Sequence, residues 1–115
     1  MREKRESRER QGRWRRTAGD AGAREVRGAR EEARRMLEAL GRPVHRRMLR
    51  RLRERGAMSV SHLARPFGIS LPDALRHVHI LEEAALITTE KRGRVRYCAY
   101  SPEALRRLAA WLSGR

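Results

Sequence analysis

The sequence predicts a mainly helical domain that carries one small β-hairpin. Three observations predict it. Apolar residues recur at helical spacing in four successive stretches between residues 31 and 86. The third and fourth of these are separated only by a short turn around Gly68 and Ser70. After Leu86 the period changes from helical to alternating over residues 87–91 and 94–100, and a last helical stretch follows Ser101.

The first stretch places Ala33, Leu37 and Leu40 on one face and stops at Gly41. Pro43 suits the first turn of a second helix, whose Val44, Met48, Leu49 and Leu52 are apolar while Arg46, Arg47, Arg50, Arg51 and Arg53 wrap the rest; Gly56 ends it. Ser59 caps a third helix with Val60, Leu63, Ala64 and Phe67 at i, i+3, i+4 and i+7, closed by Gly68. Ser70, followed by Leu71, Pro72 and Asp73, then opens a fourth helix, and this spacing is that of a helix-turn-helix. At about 100° per residue, Ala74, Val78, Leu81 and Ala85 form its buried stripe, and Pro72, Leu75, Arg76 and His79 the opposite, groove-reading face. The alternating segments form a wing hairpin turning at Arg92 and Gly93, where glycine supplies the positive φ of a tight turn. Ser101, Pro102 and Glu103 supply a cap, a first-turn proline and a dipole-complementing acid for the closing helix, which carries Leu105, Leu108, Ala109 and Leu112. The predicted fold is therefore a winged helix-turn-helix.

Size and charge narrow the function. The 115 residues suffice for one small domain with room for a tail, so large cofactor-binding enzyme folds are excluded. With 39% hydrophobic and 4% aromatic residues the core is modest, and such cores often gain by pairing with a second copy. The longest apolar run, 108–112, falls far short of the roughly 20 residues that cross a bilayer, and the Met1 end lacks an apolar signal core, which points to a soluble, cytoplasmic protein without membrane partners. The single cysteine, Cys98, has no partner for an internal disulfide. A formal charge of +15 suits a polyanion, where displaced counterions drive association. Composition alone leaves open an unpartnered basic surface or an acidic membrane.

Residues 1–30 hold 11 basic and 5 acidic residues, with Met1, Trp14 and Val26 as the only sizeable apolar side chains. That composition does not offset an ordering cost of roughly 1–2 kcal/mol per residue, so the segment reads as a disordered tail preceding a domain over 31–115. Its readings are a solvating tail, a translation start placed upstream of Met36, or a basic arm that grazes DNA.

From about Met36 to Leu112 the chain resembles the ArsR/SmtB-type winged helix-turn-helix transcriptional regulators. The resemblance is carried by LEALGRPVHRRMLRRL, MSVSHLARPFGIS, LPDALRHVHILEEAALI and GRVRYCAYSPEAL, which are similar to that family's opening helix pair, helix before the turn, recognition helix, and wing with closing helix. It implies a homodimer joined through its first and last helices, with two recognition helices entering successive major grooves of an inverted repeat. The interface candidates are Leu37, Leu40, Leu105, Leu108, Trp111 and Leu112. Trp111 beside the closing helix's main stripe adds apolar surface beyond what a small core needs, so Leu108→Glu is expected to give a soluble monomer.

DNA contacts fall, by position and helical layout, on Ser70, Leu71, Pro72, Leu75, Arg76 and His79. Arg76 is the base-reading candidate, because a guanidinium donates bidentately to guanine O6 and N7. Leu75 stands where the family often has serine, so operator preferences of relatives do not transfer. Ala85 stands where the family has glycine, which predicts a regular rather than left-handed helix end. Lys91, Arg92, Arg94 and Arg96 in the wing are candidates for phosphate or minor-groove contacts.

The family's metal-sensing motifs are missing from SVSHLARPF and SPEALRRLAAWL, and no cofactor is expected. His77 and His79 point about 200° apart on one helix and cannot chelate one ion; His77 borders the core stripe and reads as a packed, hydrogen-bonded residue. Cys98 reads as a buried hydrophobe. No phosphate loop, carboxylate pair or activated nucleophile is recognisable, so no enzymatic activity is expected. The reading is a homodimeric, sequence-specific DNA-binding repressor; its rival is a nucleic-acid adaptor that grips phosphates without sequence preference.

Overall fold

The computed structural model describes residues 27–114. They divide between two units, with the boundary at Glu32 and Ala33; residues 27–32 of the first are helical. Of the disordered tail expected over residues 1–30, residues 1–26 lie outside the described residues, and residues 27–30 are helical. The second unit carries helix α1 (33–40), α2 (Pro43–Arg55), strand β1 (Met58–Ser59), α3 (Val60–Ala64) running into a 3₁₀ turn (Arg65–Phe67), α4 (Leu71–Glu83), β2 (Ile87–Arg92), β3 (Val95–Tyr100) and α5 (Pro102–Leu112). This is a winged helix-turn-helix.

Helix starts follow local chemistry. Ser59 Oγ accepts the His62 N–H at 3.1 Å and Ser70 Oγ accepts the Asp73 N–H at 3.3 Å, so both helices flanking the turn are capped. Pro66 lacks an N–H, and α3 tightens into the 3₁₀ turn there, ending at Gly68 with φ +63°. At Ser101, by contrast, the side chain makes no capping bond, and the start of α5 rests on Pro102 and Glu103.

The core gathers one face of every helix: Met36, Met48, Leu52, Leu63, Val78 and Leu81 are almost wholly inaccessible, with Leu86 and Ile87 sealing the entry to the wing. In α1 the buried residues are Ala33, Met36 and Ala39, whereas Leu37 is 47% exposed and Leu40 only half-buried. The face expected from Ala33, Leu37 and Leu40 is thus rotated, because Met36 fills the core where the helical spacing alone would put a leucine. The hairpin is the larger part of a three-stranded sheet, order β1-β3-β2, in which Met58 pairs with Cys98 and Ser59 with Tyr97. Two residues between helices give too short a pattern for sequence periodicity to register β1.

The end of α4 corrects the expectation of a regular helix end. Ala85 has φ +63°, its N–H reaches the Glu82 carbonyl at 2.9 Å, and the Leu86 N–H reaches the Leu81 carbonyl at 3.0 Å. This is a Schellman closure with alanine in the left-handed position, held because buried Leu86 packs back toward buried Leu81. Consequently Ala84, not Ala85, completes the buried stripe. A left-handed alanine costs roughly 1–2 kcal/mol, partly offset by glycine's greater unfolded-state entropy. Ala85→Gly should therefore raise stability by about 0.5–1 kcal/mol, seen as a higher denaturant midpoint with unchanged slope.

Candidate nucleic-acid interface

The buried stripe of α4 fixes what its other side presents. With Ala74, Val78 and Leu81 in the core, Leu71, Pro72, Leu75, Arg76 and His79 are all exposed. Leu71 and Leu75 share a shallow depression of about 250 Å³ with Ser59–Ser61 and with Lys91, Arg94, Val95 and Arg96 of the wing. Recognition helix and wing thus meet around one concave surface, apolar at the helix and cationic at the hairpin. The wing is tied there by a hydrogen-bonded chain: Arg96 Nη1 donates to Thr89 Oγ1 at 3.0 Å, and that hydroxyl donates to Glu82 Oε2 at 2.8 Å. Sequence reasoning missed Thr89 and Glu82, although strand alternation from Ile87 through Thr89 to Lys91 carries the signal for the first.

Two candidates are engaged locally. Arg76 Nη2 lies 2.8 Å from Asp73 Oδ1, an exposed pair one turn apart that holds the guanidinium along the helix. Arg92 donates to Glu90 at 3.3 and 3.4 Å and lies 5.6 Å from the Tyr97 ring centre, and its pKa is raised, first by the Glu90 hydrogen bond. His79 does not join the concave surface. It lies 3.8 Å from Glu83 and lines a different depression with Arg35, Glu38, Ala39, Arg42, His45 and Ile80.

The α4 helix is also held from behind by a polar contact. His77 is buried, as its place beside the core stripe predicts, and its Nδ1 is 2.9 Å from Nε2 of fully buried His45 on α2. The other ring nitrogen of His45 is 2.8 Å from the Ala39 carbonyl of α1. Nothing in the sequence marks His45, since one histidine in an arginine-rich helix reads as another surface base. Cys98 is buried with its thiol pushed up to about 11, chiefly by burial, which leaves it protonated and unreactive at neutral pH. Among the described residues no group of three or more His, Cys, Asp and Glu side chains is placed to hold a metal ion, and no helix is long and apolar enough to cross a membrane.

The residues expected at an interface between copies separate into three sets. Leu37, Trp111 and Leu112 are 47, 40 and 61% exposed. Leu40 and Leu105 are half-buried and line one shallow depression with Leu49 and Tyr100. Leu108, only 6% exposed, belongs to the chain's own core, because α5 docks through Ala104 and Leu108 one turn apart. That leaves little of Leu108 to face a second copy.

A capped helix-turn-helix with a cationic wing beside an exposed recognition helix defines a winged helix-turn-helix DNA-binding regulator. The Helix-turn-helix domain family matches residues 40–90. Among solved structures, the chain is 42% identical to an ArsR family transcriptional regulator, covering 73% of this chain and 86% of that one with a TM-score of 0.67. It is 34% identical to a possible transcriptional regulator for arsenical resistance, covering 69% and 81% at a TM-score of 0.62. An ArsR-like transcriptional regulator from Rhodococcus sp. RHA1, at 24% identity, shares the fold over 75% of this chain and 80% of that one, with a TM-score of 0.66. The chain belongs to the ArsR family of transcriptional regulators. No curated protein sequence matches it.

Proposed function

We propose that the protein is a homodimeric repressor that binds an inverted-repeat operator through Leu71, Leu75 and Arg76 of α4 and through Lys91, Arg94 and Arg96 of the wing. The observation that carries this reading is the single concave surface on which Leu71 and Leu75 meet the three wing cations. Its shape suits a duplex: leucines reach thymine methyl groups, Arg76 beside them offers guanine a bidentate donor, and the wing cations hold phosphates. Exposed Leu37, Trp111 and Leu112 supply the surface through which a second copy would pair, and a structural relative from Mycobacterium bovis sharing the fold is described as homodimeric. Repression follows from occupancy, since a dimer across a promoter blocks polymerase. A second fold relative, BigR from Xylella fastidiosa, is described as a repressor.

The test is selection of bound duplexes from a random DNA pool at about physiological salt, where phosphate-only binding is already weakened. An inverted repeat with half-sites about one helical turn apart supports the reading. Recovery of no motif, with binding that vanishes as salt rises, would replace it by a sequence-indifferent nucleic-acid adaptor.

A further inference from the structure

We propose that His45 and His77 form a proton-sensitive tether that positions the recognition helix, so that acidification weakens discrimination between operator and other DNA. The inference rests on the DNA-binding reading above and adds a pH response to it.

The geometry fixes the protons. The Ala39 carbonyl only accepts, so His45 Nδ1 must carry a hydrogen to make its 2.8 Å contact. A neutral His45 then has a bare Nε2, which accepts from the His77 Nδ1–H at 2.9 Å. The chain from α4 through α2 to the end of α1 is complete with both rings neutral. The ring planes are inclined at 77° with 5.0 Å between centres, and the two facing nitrogens are 2.9 Å apart. One added proton can be housed only by burying an imidazolium. A second leaves two N–H groups facing one another at 2.9 Å, and the tether opens.

The surroundings oppose even the first proton. Burial lowers both pKa values and is the largest cause for each. For His45 the Ala39 carbonyl opposes that shift, while His77 and Arg42 add to it. For His77, Arg42 and Arg76 lower the value further, and Asp73 opposes them. The depression that reaches His45 also presents Arg35, Glu38, His79 and Glu83, in which the acids are balanced by bases. Folded pKa values below the unfolded ones mean that the tether's contribution is complete above the ordinary histidine pKa of about 6.5 and fades as pH falls through the lowered folded values. His77 lies one residue from Arg76 on α4, so its release shifts the residue proposed to read bases.

The experiment compares affinity for the selected operator and for a scrambled duplex between about pH 8 and about pH 5.5, for wild type and His77→Asn, with circular dichroism confirming the fold at each pH. The ratio is the readout, because any general gain of positive charge in acid strengthens binding to every duplex alike and cancels from it. Asparagine keeps an N–H donor near the position of Nδ1 and does not titrate. Wild type should lose about tenfold in the ratio on acidification and His77→Asn should stay within about twofold. A flat wild-type ratio, or an equal loss in both proteins, overturns the proposal. Nitrogen-15 spectra of the free protein's imidazoles decide independently of DNA and of the variant's folding: both rings should be Nδ1-protonated at neutral pH and titrate below the ordinary value. Titration at or above that value overturns the tether. Absence of discrimination at about pH 8 would instead sink the operator reading and leave the tether to the spectra.

Discussion

Leu108→Glu is expected to unfold the chain rather than to release a folded monomer. The side chain is 6% exposed and packs with Ala104 as the contact of α5 to the core. Truncating a buried leucine costs about 2–5 kcal/mol, and placing a carboxylate there adds its desolvation or the cost of protonating it. The total is comparable with the roughly 5–15 kcal/mol stability of a small domain. Circular dichroism should show an absent or strongly lowered melting transition. Trp111→Glu and Leu112→Glu should behave differently, since these side chains are 40 and 61% exposed and remove little of the core. Each should keep its fold, sediment as a monomer and bind an inverted repeat far more weakly than wild type, because two half-sites held on one particle gain by effective concentration. A folded, monomeric Leu108→Glu protein would refute the core assignment. A Trp111→Glu protein that still sediments as a dimer and binds normally would remove this end of α5 from the interface.

The contrast between Leu108 and Trp111 shows what a sequence reveals and what it leaves out. Helical spacing makes all the apolar residues of α5 legible, but a stripe wider than the core can cover does not say which residue is buried and which is left exposed. Rotation by one position in α1 has the same origin: Met36 and Leu37 are adjacent, both apolar, and only packing against the rest of the core selects Met36. Ala85 departs from expectation for a different reason. Local preference opposes a left-handed alanine, and the preference is overridden by the burial of Leu86 that the closure secures. The recognition helix is legible because Ser70, Pro72 and a clean apolar stripe agree with one another at every level. His45 is not, since its partners, Ala39 and His77, lie six and thirty-two residues away and meet it only in the folded chain.

Arg76→Ala is expected to remove most of the preference for the operator while leaving affinity for scrambled DNA nearly unchanged. In the free protein Arg76 is held by Asp73 at 2.8 Å, but both side chains are about half exposed or more, and such pairs contribute only about 0.2–1 kcal/mol. Releasing the guanidinium toward a base therefore costs little. A bidentate contact to guanine discriminates by about 1–3 kcal/mol, and a dimer would have two, so the operator-to-scrambled ratio should fall by about 30-fold to about 20,000-fold. Arg94→Ala should instead weaken both duplexes by similar factors and lower the slope of log affinity against log salt by about one for each phosphate that the side chain no longer neutralises. Arg94 sits at the hairpin tip and lines the shared depression with Leu71 and Leu75, and the proposed reading has it grip phosphates. Titrations of the three proteins at two salt concentrations separate the roles. If Arg76→Ala keeps the wild-type ratio, base reading belongs to the leucines beside it or to DNA shape. If Arg94→Ala alters the ratio rather than the slope, the wing reads sequence, and the division between a reading helix and a gripping hairpin fails.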